Sequence, residues 1–227
     1  MDAAMDTASN NTAVGHAALS GLLHGDDNTV VGYQAGNDIT YGVNNVIVGS
    51  VAGDAIVGGS SNVIMGYGAG GSTTAGLSMT IVGYGAGAAN LTSAAVGSVF
   101  IGHSAGGLVT SGIGNVAVGY QSLDAAATSD YNTAVGHQSL SAVNGNNTGG
   151  NTAMGRLSGA AITDGTANTA IGHVALYQDD QGTHSTAIGS HALFTQNVGS
   201  EVSGNTAVGA EAGYYNVTGT SNTYLGF

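Results

Sequence analysis

The chain has 227 residues, 41 of them glycine and none proline, cysteine or tryptophan, and thirteen acidic groups face one basic residue, Arg156, for a formal net charge of −12. One guanidinium cannot assemble the basic patch that neutralises phosphates, so nucleic-acid binding is excluded, and an anionic membrane surface repels such a chain. Without cysteine there are no disulfides or thiolate metal sites, while a hydrophobic fraction of 42% is too high for a solvated disordered tail.

Residues 1–9 form a lead-in that lacks the basic and apolar regions of a secretion signal. No later apolar run reaches the roughly 20 residues of a membrane-spanning helix, so no membrane insertion is expected. From residue 10 to 227 a single repetitive domain is expected, because one phrase recurs throughout. Its first copy is Asn11-Thr12-Ala13-Val14-Gly15-His16-Ala17-Ala18-Leu19, and a later one is Asn132-Thr133-Ala134-Val135-Gly136-His137-Gln138-Ser139-Leu140. The shared glycine stands at 15, 32, 49, 66, 83, 102, 119, 136, 155, 172, 189, 209 and 226, so nine of the twelve intervals are 17 residues. A unit this short buries its apolar face only against its neighbours, which predicts a stack of coils.

Within each copy, β-branched Thr or Val three before the glycine and an aliphatic residue one before it predict a short strand. Side chains alternate faces in a strand, so these two columns share one face, and we expect that face to be the core. The position between them, Ala or Val30, Ile47, Ile64, Ile81, Phe100 and Tyr224, is then expected to point outward and to meet another chain. The shared glycine predicts a corner with positive φ. Ala or Ser three residues later predicts close packing. A second glycine column, Gly25, Gly42, Gly59, Gly76, Gly112, Gly165, Gly182, Gly199 and Gly219, predicts a second corner and hence a flattened roll. Asn four before the shared glycine, in ten of thirteen copies, predicts an amide ladder. The longer intervals place extra loop residues in segments 88–97, 141–150 and 194–204. The expected fold is therefore all-β, a parallel β-solenoid of about thirteen short coils.

His16, His103, His137 and His173 follow the shared glycine, with Tyr33, Tyr67, Tyr84 and Tyr120 in the same column. They read as stacked rim residues, the alternative being an axial metal in an oligomer. The acidic pairs Asp26-Asp27 and Asp179-Asp180 read as solvated loop charge, with calcium or sugar hydrolysis as alternatives that need partners from other coils. No serine elbow and no lysine-bearing phosphate loop occurs, so no catalytic, cofactor or metal residue is assigned and the chain is expected not to be an enzyme. Tyr41, Tyr131, Tyr177, Tyr214 and Tyr215 suit stacking on sugars. The threonine column raises ice binding, which an inward-facing threonine sets aside.

The phrase Asn-Thr-Ala-Val-Gly-His-Gln-Ser-Leu with its Thr-, Gly- and Asn-rich spacers resembles the shaft repeats of phage tail fibres, of the kind preceding a cleaved intramolecular chaperone. Ser98-Val99-Phe100-Ile101-Gly102 and Ser185-Thr186-Ala187-Ile188-Gly189 are also similar to the left-handed β-roll heads of trimeric autotransporter adhesins, whose repeats are shorter. The resemblance implies a left-handed roll, a parallel homotrimer among other virion subunits, a place on the virion tail fibre, and contact with a host glycan or surface receptor. A bacterial surface adhesin and a glycan depolymerase tail spike are the alternatives it leaves open.

Overall fold

The structure is a computed structural model that describes residues 7–92, 95–144, 149–199 and 202–227. It forms two compact units, Met1–Gly114 and Asn115–Phe227. The first holds β1 (Thr12–Val14), β2 (Thr29–Val31), β3 (Val46–Val48), β4 (Val63–Met65), β5 (Thr80–Val82) and β6 (Val99–Ile101). The second holds β7 (Val116–Val118), β8 (Thr133–Val135), β9 (Thr152–Met154), β10 (Thr169–Ile171), β11 (Thr186–Ile188), β12 (Thr206–Val208) and β13 (Thr223–Leu225). Within each unit every strand pairs in parallel with the next, one copy of the phrase against the following copy: Thr29 lies opposite Val46, and Thr169 opposite Thr186. No helix occurs among the described residues. The all-β parallel solenoid read from the period is the fold observed. The three longer segments lie partly outside the described residues, at 93–94, 145–148 and 200–201, as do residues 1–6 of the lead-in.

The corner and the ladder follow the sequence reading. Gly66 has φ 133°, and a Cβ there would lie 2.5 Å from the carbonyl oxygen of Gly83, so the adjacent coil occupies the space a side chain needs. The second glycine column works differently: Gly42 keeps an ordinary φ, but a Cβ would stand 2.5 Å from the Gly59 oxygen. Asn45 donates from its backbone and side-chain nitrogens to Asn28 Oδ1, at 3.1 and 3.0 Å, and its Nδ2 also reaches the Gly59 carbonyl at 2.9 Å. Asn62 repeats the pattern, and in the second unit Asn132, Asn151 and Asn168 continue it. Each buried amide thus ties its own coil to both neighbours, at roughly 1 kcal/mol net per hydrogen bond.

The faces of the strand are reversed from the expectation. From β2 to β12 the middle residue is buried in every strand, and neither flanking residue is. Val30, Ile47, Ile64, Ile81 and Phe100 are fully enclosed, so the column assigned to a chain contact is the core. The physical reason is parity: the buried asparagines sit two residues before the middle position and share its face.

The core varies in a compensated way. Val30, Ile47, Ile64, Ile81 and Phe100 are followed six residues later by Gly36, Gly53, Gly70, Gly87 and Gly106. Where the strand residue is Ala13, Ala117, Ala134, Ala170 or Ala187, the later position holds Leu19, Leu123, Leu140, Leu176 or Leu193. A Cβ on Gly70 would already touch both Ile64 and Ile81 at 3.4 Å, and one on Gly106 would lie 2.5 Å from the Phe100 ring. One large side chain per coil fills the same volume from either of two positions. Ala153 with Gly159 and Ala207 with Gly213 depart from the rule, and there Leu140 and Leu193 of the preceding coils reach to 2.9 and 2.8 Å of the empty position.

Left-handed residues other than glycine line the turn after most corners, among them Gln34, Val51, Leu157 and Val174, while Gly68 and Gly85 take that place after Gly66 and Gly83. Such a φ costs about 1–2 kcal/mol in a side-chain-bearing residue. Their amides repay part of that by donating to the previous coil, Val51 to the Tyr33 carbonyl at 2.8 Å and Leu157 to the His137 carbonyl at 2.9 Å.

Candidate functional site

With the middle residues inside, the two flanking columns make an outward strip. In the first unit it carries Val14, Val31, Val48, Met65, Val82 and Ile101, with Thr or Val beside them, and in the second the row continues in kind to Val208 and Leu225. Val14 is 57% exposed, and Met65, Met154 and Val208 about 40%. The threonines also point outward, so the inward placement that set ice binding aside is corrected. The neighbouring column is nevertheless aliphatic, so no two-column threonine array is formed.

The residues after the shared glycine stack along each unit. The His16 ring lies on Tyr33 at 5.4 Å, Tyr67 on Tyr84 at 5.4 Å, Tyr84 on His103 at 5.0 Å, and Tyr120 on His137 at 5.0 Å. Arg156 Nη1 donates to His173 Nε2 at 3.0 Å, and His173 meets His191 edge-on. These rings belong to successive coils and, apart from His173 with His191, pair face to face, each pair adding about 0.5–1.5 kcal/mol. Among the described residues no three of His, Cys, Asp and Glu converge as metal ligands do.

The acidic pairs divide. Asp26 accepts from the Ser9 amide and hydroxyl at 2.7 and 3.0 Å, and Asp27 accepts from Asn10 Nδ2 at 3.0 Å, all near the surface. Asp179 corrects the expectation of solvated charge, because it is fully buried. It lies seven residues after Gly172, in the column that holds Leu22, Ile39, Ile56 and Ile162 elsewhere. Its Oδ2 accepts from Gln196 Nε2 at 2.6 Å and its Oδ1 from the Gly182 amide at 3.1 Å. Gln196 also donates to Ser185 and accepts from Asn205, each at 2.8 Å, so a polar network replaces aliphatic packing here.

Burial pushes the Asp179 carboxyl above its ordinary 3.8, against the opposing pull of the Gln196 hydrogen bond. A raised carboxyl binds its proton more tightly in the folded chain than in the unfolded one. Its contribution is therefore complete below pH 3.8 and is lost as pH rises through the raised value. We expect the stability difference between Asp179→Asn and the parent to shift in favour of the variant as pH is raised from 3.8 towards neutrality. Thermal melts across that range check it, and a difference that does not change with pH contradicts it.

The loop tyrosines are partly brought together. Tyr41 stacks on His24, and Tyr131 stands exposed. Tyr177, Phe194 and Tyr214 form one continuous stack, at 5.3 and 5.0 Å, and Tyr215 meets Tyr214 edge-on. The sequence reading missed Phe194, although all three stacked residues stand five after a shared glycine. Beside Tyr177 a depression of about 530 Å³ lies over Ala160 and Ala161, with Ser141, Gln178 and Asn197 at its margin.

The chain matches no known protein family, no curated protein and no solved structure.

Proposed function

We propose that the chain is the shaft of a surface fibre, of the phage tail fibre kind that its repeat resembles, assembled as a parallel homotrimer and presenting its loops to a host glycan. The observation that carries this reading is the outward strip: an aliphatic row with one member per coil, none of them buried, with Val14, Met65, Ile101, Met154, Ile188, Val208 and Leu225 exposed. Apolar surface of that extent on one face marks an association site, and its burial is worth about 25 cal/mol per Å². None of the thirteen acidic residues stands in the strand columns, so the net charge of −12 does not oppose contact along the strip. Identical copies also present identical rungs, which favours parallel, in-register association. The function is then mechanical and multivalent, since an assembly of several chains repeats each loop and multiplies weak contacts through effective concentration.

Light scattering tests it. The parent chain is expected at three times 21.9 kDa. Met65→Asp with Ile101→Asp, at two exposed rungs, is expected to release monomers whose circular dichroism is unchanged. A parent chain that stays monomeric at high concentration removes the reading.

A further inference from the structure

The aromatic stack of the second unit stops where a further ring would fit. Phe194 covers one face of Tyr177, and Tyr214 continues the stack beyond it. On the other side the neighbouring coil runs alongside, with the Ala161 amide donating to the Tyr177 carbonyl at 3.3 Å. The residue that stands there in the column of Tyr177 and Phe194 is Ala160, which supplies a methyl group in place of a ring. The depression of about 530 Å³ opens at this vacant rung, within the ~300–1,000 Å³ typical of small-molecule sites.

The margin of the depression carries unspent polar groups. Gln178 and Asn197 are exposed and Ser141 is half-buried, and their side chains form no hydrogen bond to another described residue. Gln138, also at the margin, uses its Nε2 on Gln121 at 3.1 Å and keeps its carbonyl oxygen available. No charged side chain lines the site.

We propose that this depression binds a neutral hexopyranose of a glycan, its ring seated on Tyr177 as the next rung of the stack and its hydroxyls bonded to the amides of Gln178 and Asn197. A pyranose has a C–H face that packs on an aromatic ring and a rim of hydroxyls that both donate and accept, as a carboxamide does. A flat hydrocarbon would make no use of these exposed amides, whereas sugar hydroxyls pair with both their donors and their acceptors. An anionic sugar would meet no cation here and would approach a chain of net charge −12. The proposal rests on the fibre reading only for where the glycan comes from, because the site lies within one chain and needs no oligomer.

The test is a titration of the full chain with methyl hexopyranosides and neutral di- and trisaccharides, read by saturation-transfer NMR and by tyrosine fluorescence. At least one of them is expected to bind, with saturation strongest on the C–H face of one sugar ring. Tyr177→Ala should weaken that binding by about tenfold or more. Ala160→Tyr fills the vacant rung with a fourth ring, leaves the fold intact by circular dichroism, and should also abolish binding. Failure of every neutral glycoside to bind, binding confined to acidic sugars, or binding that survives Ala160→Tyr each overturns the proposal. Light scattering on the same samples separates the two readings: a monomer that binds the sugar removes the fibre alone, and a trimer that binds none removes the site alone.

Discussion

Alanine at Gly66 is expected to unfold the coils around it, whereas alanine at Gly68, two residues along, is expected to be tolerated. Both glycines have positive φ, 133° and 60°, so backbone preference alone makes each substitution unfavourable. They differ in what a Cβ would meet. At Gly68 nothing lies within 4 Å, and Ala17 already occupies the equivalent place in the first coil with φ 54°. At Gly66 the new atom would lie 2.5 Å from the Gly83 carbonyl oxygen and 2.7 Å from its carbon. Those are backbone atoms, fixed by the hydrogen bond from the Gly83 amide to the Met65 carbonyl at 2.8 Å, and no side-chain rotation can relieve the contact. The strand pair β4–β5 has to separate. We expect Gly66→Ala to cost about 4 kcal/mol or more, in the range that single substitutions rarely reach, and Gly68→Ala about 1 kcal/mol. Urea denaturation followed by circular dichroism measures both. Equal midpoints for the two variants would show that the coils are not held at the spacing described.

The period, the glycine corners and the asparagine ladder were legible because each depends on one residue type whose chemistry has few alternatives. A glycine that recurs every 17 residues has to serve the backbone, and an asparagine in register with itself has an amide to pair with. The faces of the strand are not legible from constancy, because a constant aliphatic residue suggests burial and here lies outside. Val14, Val31 and Val48 vary little since an outward strip asks only for an aliphatic residue, while the inner column swings from Ala134 to Phe100 because the position six residues later compensates. The asparagine column carried the correction, since its parity fixes which side is inside. Asp179 was misread by type: an acidic doublet suggests solvent, but its distance from Gly172 puts it among Leu22, Ile39 and Ile56. The left-handed residues Gln34, Val51 and Val174 had no legible signal, because side chains of those types do not announce a positive φ.

The compensation between the strand residue and the position six later has a direct consequence in the second unit. Leu140→Gly alone leaves a hole beside Ala134 and is expected to cost about 3 kcal/mol, as buried leucine truncations do. Part of that loss is offset because Leu140 has φ 49°, a conformation glycine adopts without strain. Ala134→Ile alone adds methyl groups to a coil whose large side chain is already in place, and overpacking of this sort costs about 1–3 kcal/mol. The double variant reproduces the arrangement of Ile64 with Gly70, in which the strand supplies the volume and the turn residue makes room. Its loss is therefore expected to be smaller than the sum of the two single losses by about 2 kcal/mol, a coupling typical of residues sharing one cavity. A double-mutant cycle in urea measures that coupling. Additive losses would mean that the two positions do not fill a common volume, and that the alternation between Ala–Leu and Ile–Gly coils is not a packing rule of this solenoid.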